Sequence, residues 1–275
     1  MKRDTANATI YVLVVLALTG AATLTLHQLG ITDGSTANLL MFLPGLVAIA
    51  LLALRRQSMR SMGWTVGRIA YWPWALLLPM VALLIWIPLS LLLGTSAPAA
   101  PGTKGAALAH DFLRLGRNVA IYLAISVPLA LGEEVGWRGY LQPRLVSAFG
   151  WFRGLLVLGL VWGLWHVPIY YVMGNYAEYP ILGPFVMTPV DNLLAVVPMA
   201  WLYVRSGSIW VPTIAHAFAD VLWGFSAIVF PPTQDLAHWA ILQAIQLVIS
   251  AVLLSQLMRG TERHPGEVGV RQRIT

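Results

Sequence analysis

The stretch Arg117-Asn118-Val119-Ala120-Ile121-Tyr122-Leu123-Ala124-Ile125-Ser126-Val127-Pro128-Leu129-Ala130-Leu131-Gly132-Glu133-Glu134-Val135-Gly136-Trp137-Arg138 decides how this chain is read. A helix needs about 20 predominantly apolar residues to cross a bilayer, and 117–137 supplies that length. Two adjacent acids and an arginine then close the run. Working outward, comparable apolar runs occupy 8–27, 37–54, 71–93, 154–173, 189–204, 208–229 and 237–258. The expected fold class is all-α: a polytopic membrane protein of about eight transmembrane helices. It is read as one integral-membrane domain over 1–275, with 259–275 as a basic cytoplasmic tail.

Composition agrees. The chain is 58% hydrophobic and 10% charged, against about 25% charged in soluble domains. So few charges cannot cover a water-soluble globule of this size, and lipid must solvate part of it. The net charge of +6 does not imply nucleic acid, because the basic residues are scattered through short connections and form no aromatic-interleaved face. The absence of cysteine excludes disulfides, thiolate metal sites and a cysteine nucleophile. The apolar run from Ala8 to Leu26 behind Lys2 and Arg3 is long for a signal peptide, and no small-x-small cleavage site follows it. A retained first helix is expected.

The connections set the orientation. One set carries Lys2, Arg3, Arg55, Arg56, Arg60, Arg68, Arg138, Arg144, Arg153, Arg205, Arg259, Arg263, Arg271 and Arg273. The other carries Lys104, Arg114 and Arg117 with the acids Asp33, Asp111, Glu178 and Asp235. Eight spans put the basic set on one side throughout, and an odd number would spoil the alternation. The positive-inside rule then places both termini in the cytoplasm of a multi-pass protein of the cell (plasma) membrane. Thr188-Pro189-Val190-Asp191 reads as a helix start with a capping hydroxyl and an acid three residues on. Trp64, Tyr71, Trp72, Trp74, Tyr170, Tyr171 and Trp210 near span ends suit interfacial belts. The Ala-, Pro- and Gly-rich loop 94–116 reads as flexible.

Ionisable groups inside a membrane cost several kcal/mol each unless paired or hydrated, so they are functional candidates by default. Glu134 and Arg138 stand at i and i+4 and can pair. Glu133 is turned about 100° from Glu134, which leaves it available as a base. His166 lies in a purely apolar and aromatic setting, Val161-Trp162-Gly163-Leu164-Trp165-His166. His216 and Asp220 share a helix face. Asp220 could orient the imidazole, or each could bind water or substrate. At about 1.5 Å per residue, His216 lies on the order of 12 Å and His166 roughly 18 Å from the cytoplasmic ends of their spans. One cytoplasm-facing cavity could therefore hold all three groups. His27, His110, His238 and His264 receive no role, and Asp191 reads as part of the helix cap.

Glu133-Glu134-x-x-x-Arg138, Trp162-x-x-x-His166 and His216-x-x-x-Asp220, in this order on successive spans, resemble the CAAX-protease and bacteriocin-processing family, also called the Abi family. Arg138-Gly139-Tyr140-Leu141-Gln142 and Gly207-Ser208-Ile209-Trp210 fit as well. The motifs cover roughly 130–222, and the remaining spans add only a compatible topology. Two positions depart from the usual pattern: Trp162 stands where Phe is common, and Asp220 where Asn is common. The resemblance implies an intramembrane endopeptidase in which Glu133, helped by His166, activates water. His216 and Asp220 would stabilise the oxyanion, and Glu134 and Arg138 would support the site.

The substrate implied is a peptide or protein, lipidated or not, met at the lipid bilayer. No cofactor is required by this reading. Zinc on the two histidines and the carboxylates is the lesser alternative, because the spacing is not the His-x-x-x-His pair of zincins. Two other classes remain: a non-enzymatic bacteriocin-immunity or scaffold protein, and a proton-coupled transporter. The transporter would show paired repeats or broken helices in matching halves, and the sequence has no such repeat.

Overall fold

A chain this apolar can satisfy its backbone in lipid only by forming helices or closed barrels, and it forms helices. The computed structural model describes residues 2–31, 33–174, 176, 178–231 and 235–263. Among the described residues the longer helices are α1 Lys2–Gln28, α2 Asn38–Leu54, α3 Trp72–Leu92, α4 Phe112–Glu134, α5 Gln142–Met173, α6 Thr188–Ser206, α7 Trp210–Val229 and α8 Asp235–Arg263. No strand occurs among the described residues. The protein is an all-α polytopic membrane protein.

Six helical stretches in the described residues are long and apolar enough to cross a membrane. Two features separate this figure from the eight expected spans. Asn38–Leu54 is shorter than the rest. And Leu113–Met173 runs on as one helical stretch, where the sequence suggests two spans with a loop at 138–153. Within that run a π-turn, Val135–Leu141, joins α4 to α5. The reversal comes later, at Gly150 (φ 76°, ψ 176°), a backbone state that glycine adopts without steric cost. Beyond it α5 returns alongside itself, with Gly154 against the backbone of Leu145. Arg138 consequently lies on no loop. It is fully buried and contributes nothing to the charge asymmetry that orients the bundle.

The exterior is apolar: Leu13, Leu84, Leu92, Leu113 and Val248 are all exposed. Glu133, Glu134, Arg138, Gln142, Thr19 and Thr23 are buried. That inversion suits a lipid-facing surface. Small residues let the central helices approach closely, as they do between membrane helices generally. Gly132 meets the backbone of Met41 and Phe42, and Gly136 meets Tyr11 and Pro44. These contacts press one face of α4 and its π-turn onto α1 and α2. The opposite faces, with the two glutamates, turn towards α5 and α7.

Three other expectations change. Thr188 does not cap α6, because the helical run already begins with a π-turn at Gly183–Met187. Its hydroxyl donates to the Tyr176 hydroxyl instead (3.0 Å). Asp191 closes no capping box but accepts the indole N–H of Trp239 on α8 (2.7 Å). The 94–116 segment is docked: Ala97 and Ala99 donate backbone bonds to Pro231 and Val229. It also contains a helix, Lys104–His110, capped by Thr103. The basic tail from residue 264 onward, with His264, Arg271 and Arg273, lies outside the described residues.

Candidate active site

Helix geometry separates the adjacent acids. Successive side chains on a helix diverge by about 100°, so Glu133 and Glu134 address different neighbours. Glu133 turns to α5. Its Oε2 accepts the indole N–H of Trp162 (2.6 Å) and that of Trp137 in the π-turn (3.0 Å). Glu134 turns to α7. Its Oε1 lies 2.9 Å from Nδ1 of His216, and its Oε2 lies 3.1 Å from Nε of Arg138. The i, i+4 pair expected from the sequence is therefore present, and His216 extends it.

Hydrogen-bond bookkeeping assigns the ring nitrogens. A carbonyl oxygen can only accept. Nδ1 of His166 contacts the carbonyl of Trp162 at 3.1 Å, so Nδ1 carries the proton and Nε2 of the neutral ring carries the lone pair. The ring is stacked on Tyr170 (5.1 Å between centroids) and flanked by Trp165 (4.6 Å). Tyr170, assigned from sequence to an interfacial belt, is thus part of the wall behind His166. His216 gives Nδ1 to Glu134, so its Nε2 is the atom left to face outward, 3.6 Å from Oδ2 of Asp220. It is Glu134, rather than Asp220, that fixes the orientation of this ring. The Asp220 side chain is 49% exposed and forms the rim of the site.

Trp162 joins the two halves. Besides its bond to Glu133, it has the Arg138 guanidinium over its ring at 4.3 Å and the His216 ring edge-on at 5.4 Å. A cation over an indole face is attracted by the ring quadrupole, so Arg138 holds Trp162 and Glu134 together. Sequence reading placed Trp162 only as the aromatic member of a motif. Two indole donors converging on one carboxylate are visible only once α5 is folded against the π-turn. All six residues singled out from the sequence, Glu133, Glu134, Arg138, His166, His216 and Asp220, fall in this one region. Among the described residues no three His, Asp or Glu side chains converge as metal ligands would.

Comparison with known proteins places this region. Residues 116–222 match the family model of type II CAAX prenyl endopeptidases, Rce1-like. This segment is similar to that family. The match takes in α4 after its first turn, the π-turn, α5, α6 and the part of α7 that bears His216 and Asp220, so every residue of the site lies in the matched segment. The chain is also similar to CAAX prenyl protease 2 of Methanococcus maripaludis, with 32% identity over 124 residues. That alignment covers 45% of this chain and 42% of the relative, so the chain spans less than half of the length of the curated protein it matches.

Proposed function

We propose that the protein is an intramembrane endopeptidase of the CAAX prenyl protease type. It hydrolyses a peptide bond of a membrane-associated or prenylated protein with water activated by Glu133. The observation that carries this reading is the placement of Glu133 in a buried, aromatic pocket whose Trp162 wall also touches the rings of His166 and His216. One ring offers a lone pair and the other an outward-facing nitrogen.

The roles follow from the contacts. Glu133 takes a proton from water as the oxygen attacks the scissile carbonyl, and returns it to the leaving amine. His166 accepts the water's second hydrogen at Nε2 and fixes the line of attack. Nε2 of His216, when protonated, donates to the oxyanion, with Asp220 beside it. Glu134 and Arg138 hold the His216 ring so that this nitrogen points to the substrate. Substrate enters from the cytoplasmic side of the plasma membrane, where both termini lie. Neither metal nor other cofactor takes part.

The test is cleavage of a prenylated peptide by the purified protein in lipid vesicles. General base catalysis supplies about 10²–10⁴-fold, and Glu133→Gln should lose that much while melting at the parental temperature. Equal cleavage by parent and variant overturns the reading. No cleavage by the folded parent on a panel of prenylated and unmodified peptides favours a non-enzymatic scaffold. Loss of activity on chelation with recovery on zinc add-back overturns the metal-free mechanism.

A further inference from the structure

Both indole N–H groups that reach Glu133 end on the same oxygen, Oε2. Among the described residues no donor reaches Oε1. One donor belongs to the π-turn that continues the helix of Glu133 itself, four residues on, and the other comes from α5. A carboxylate bound through one oxygen from two helices can neither rotate about its last torsion nor exchange its oxygens. We infer that Trp137 and Trp162 are positioning residues that hold Oε2 and leave Oε1 as the basic oxygen facing the water. The inference rests on the proposed role of Glu133 and adds which of its oxygens acts and what aims it.

The arrangement is itself supported. The Trp162 ring lies under the Arg138 guanidinium at 4.3 Å, and Arg138 is held by Glu134. Charge-assisted bonds of 2.6 and 3.0 Å belong to the stronger class of hydrogen bond. Glu133 is buried and both bonds it receives end on Oε2, so Oε1 is the oxygen left for a water to meet. Misplacing a reacting group by about 1 Å can cost about 10²-fold in rate. Loss of the clamp should therefore show in turnover and not in substrate affinity.

The experiment exchanges the indole N–H for sulfur by incorporating benzothienylalanine at Trp137, at Trp162 or at both, which keeps the ring and its packing. Trp162→Phe is the genetic counterpart, and the same exchange at Trp201, whose N–H bonds Gln256, is the control. The expected result is a loss in kcat of about 10-fold for either single exchange and more for both, with KM within twofold and the control unchanged. In indole ¹⁵N spectra, Glu133→Gln should shift two N–H signals, those that vanish with the two exchanges. Parental kcat in the double exchange, or a change in KM alone, overturns the inference while leaving Glu133 as the base. Full activity of Glu133→Gln overturns the role of Glu133 instead, and the clamp with it.

Discussion

At the scale of single residues, the site is a set of buried polar groups whose worth depends on their partners. Arg138 is fully buried against Glu134 and Trp162. Removing one member of a buried ion pair costs about 3–5 kcal/mol, because the other charge is left without compensation. Arg138→Met is therefore expected to lower the detergent melting temperature sharply, and to abolish cleavage through Glu134 and His216. A variant as stable as the parent would show that Glu134 needs no such partner. Asp220 sits at the rim and contacts His216 only at 3.6 Å. Asp220→Asn keeps the shape and adds an amide donor, so cleavage within about 10-fold of the parent is expected, measured as kcat/KM. Asp191 serves a different purpose. Asp191→Ala leaves the Trp239 indole without its acceptor, at about 1–3 kcal/mol. Cleavage per folded molecule should stay unchanged, with the loss appearing only in thermal unfolding.

At the scale of elements, the contacts between helices set the distances in the site. Gly163 lies against the Cα of Pro189 where α5 crosses α6, and it is flanked by Trp162 and one turn from His166. A methyl group there has no room. Gly163→Ala is expected to cost about 1–3 kcal/mol as overpacking does, and to displace both neighbours. Stability and kcat should fall together, a pairing that separates it from Asp191→Ala.

The elements also show what the sequence could reveal. Spacing alone placed Glu134 with Arg138 and His216 with Asp220, because i, i+4 neighbours share a helix face whatever surrounds them. It could not say that Glu134 would take His216 from another helix, since periodicity gives a face and not its partner. The π-turn over Val135–Leu141 was equally hidden. An i→i+5 turn has no composition of its own, and Val135-Gly136-Trp137 reads as ordinary helix. The same limit explains Thr188 and Asp191. Their spacing fits a capping box, but the preceding turn at Gly183–Met187 already occupies the helix start.

At the scale of the whole molecule, the apolar runs and the scarcity of charge were enough to establish a helical membrane protein. A reversal between the spans 117–137 and 154–173 was legible, but not its seat at Gly150, because one glycine among the 24 of the chain carries no mark of its φ. Nor was the docking of residues 97–99 on the end of α7, which rests on backbone bonds that any sequence could make. The absence of native cysteine offers a direct test of orientation. Met59→Cys and Lys104→Cys lie on connections of opposite charge class, both exposed. In sealed inside-out vesicles an impermeant maleimide should label position 59 alone, and in intact cells position 104 alone. The reverse pattern would invert the bundle and place the site's mouth outside.

The divergence of Glu133 and Glu134 has a mechanical consequence. Two neighbouring side chains on one helix grip two different helices, so α4 acts as an axle between α5 and α7. Rotation of α4 that carried Glu133 off Trp162 would also carry Glu134 off His216, because both side chains turn with one backbone. Neither half of the site can slacken alone. The proposed base and the carboxylate that holds His216 are thus geared together, one helical step apart on a single backbone.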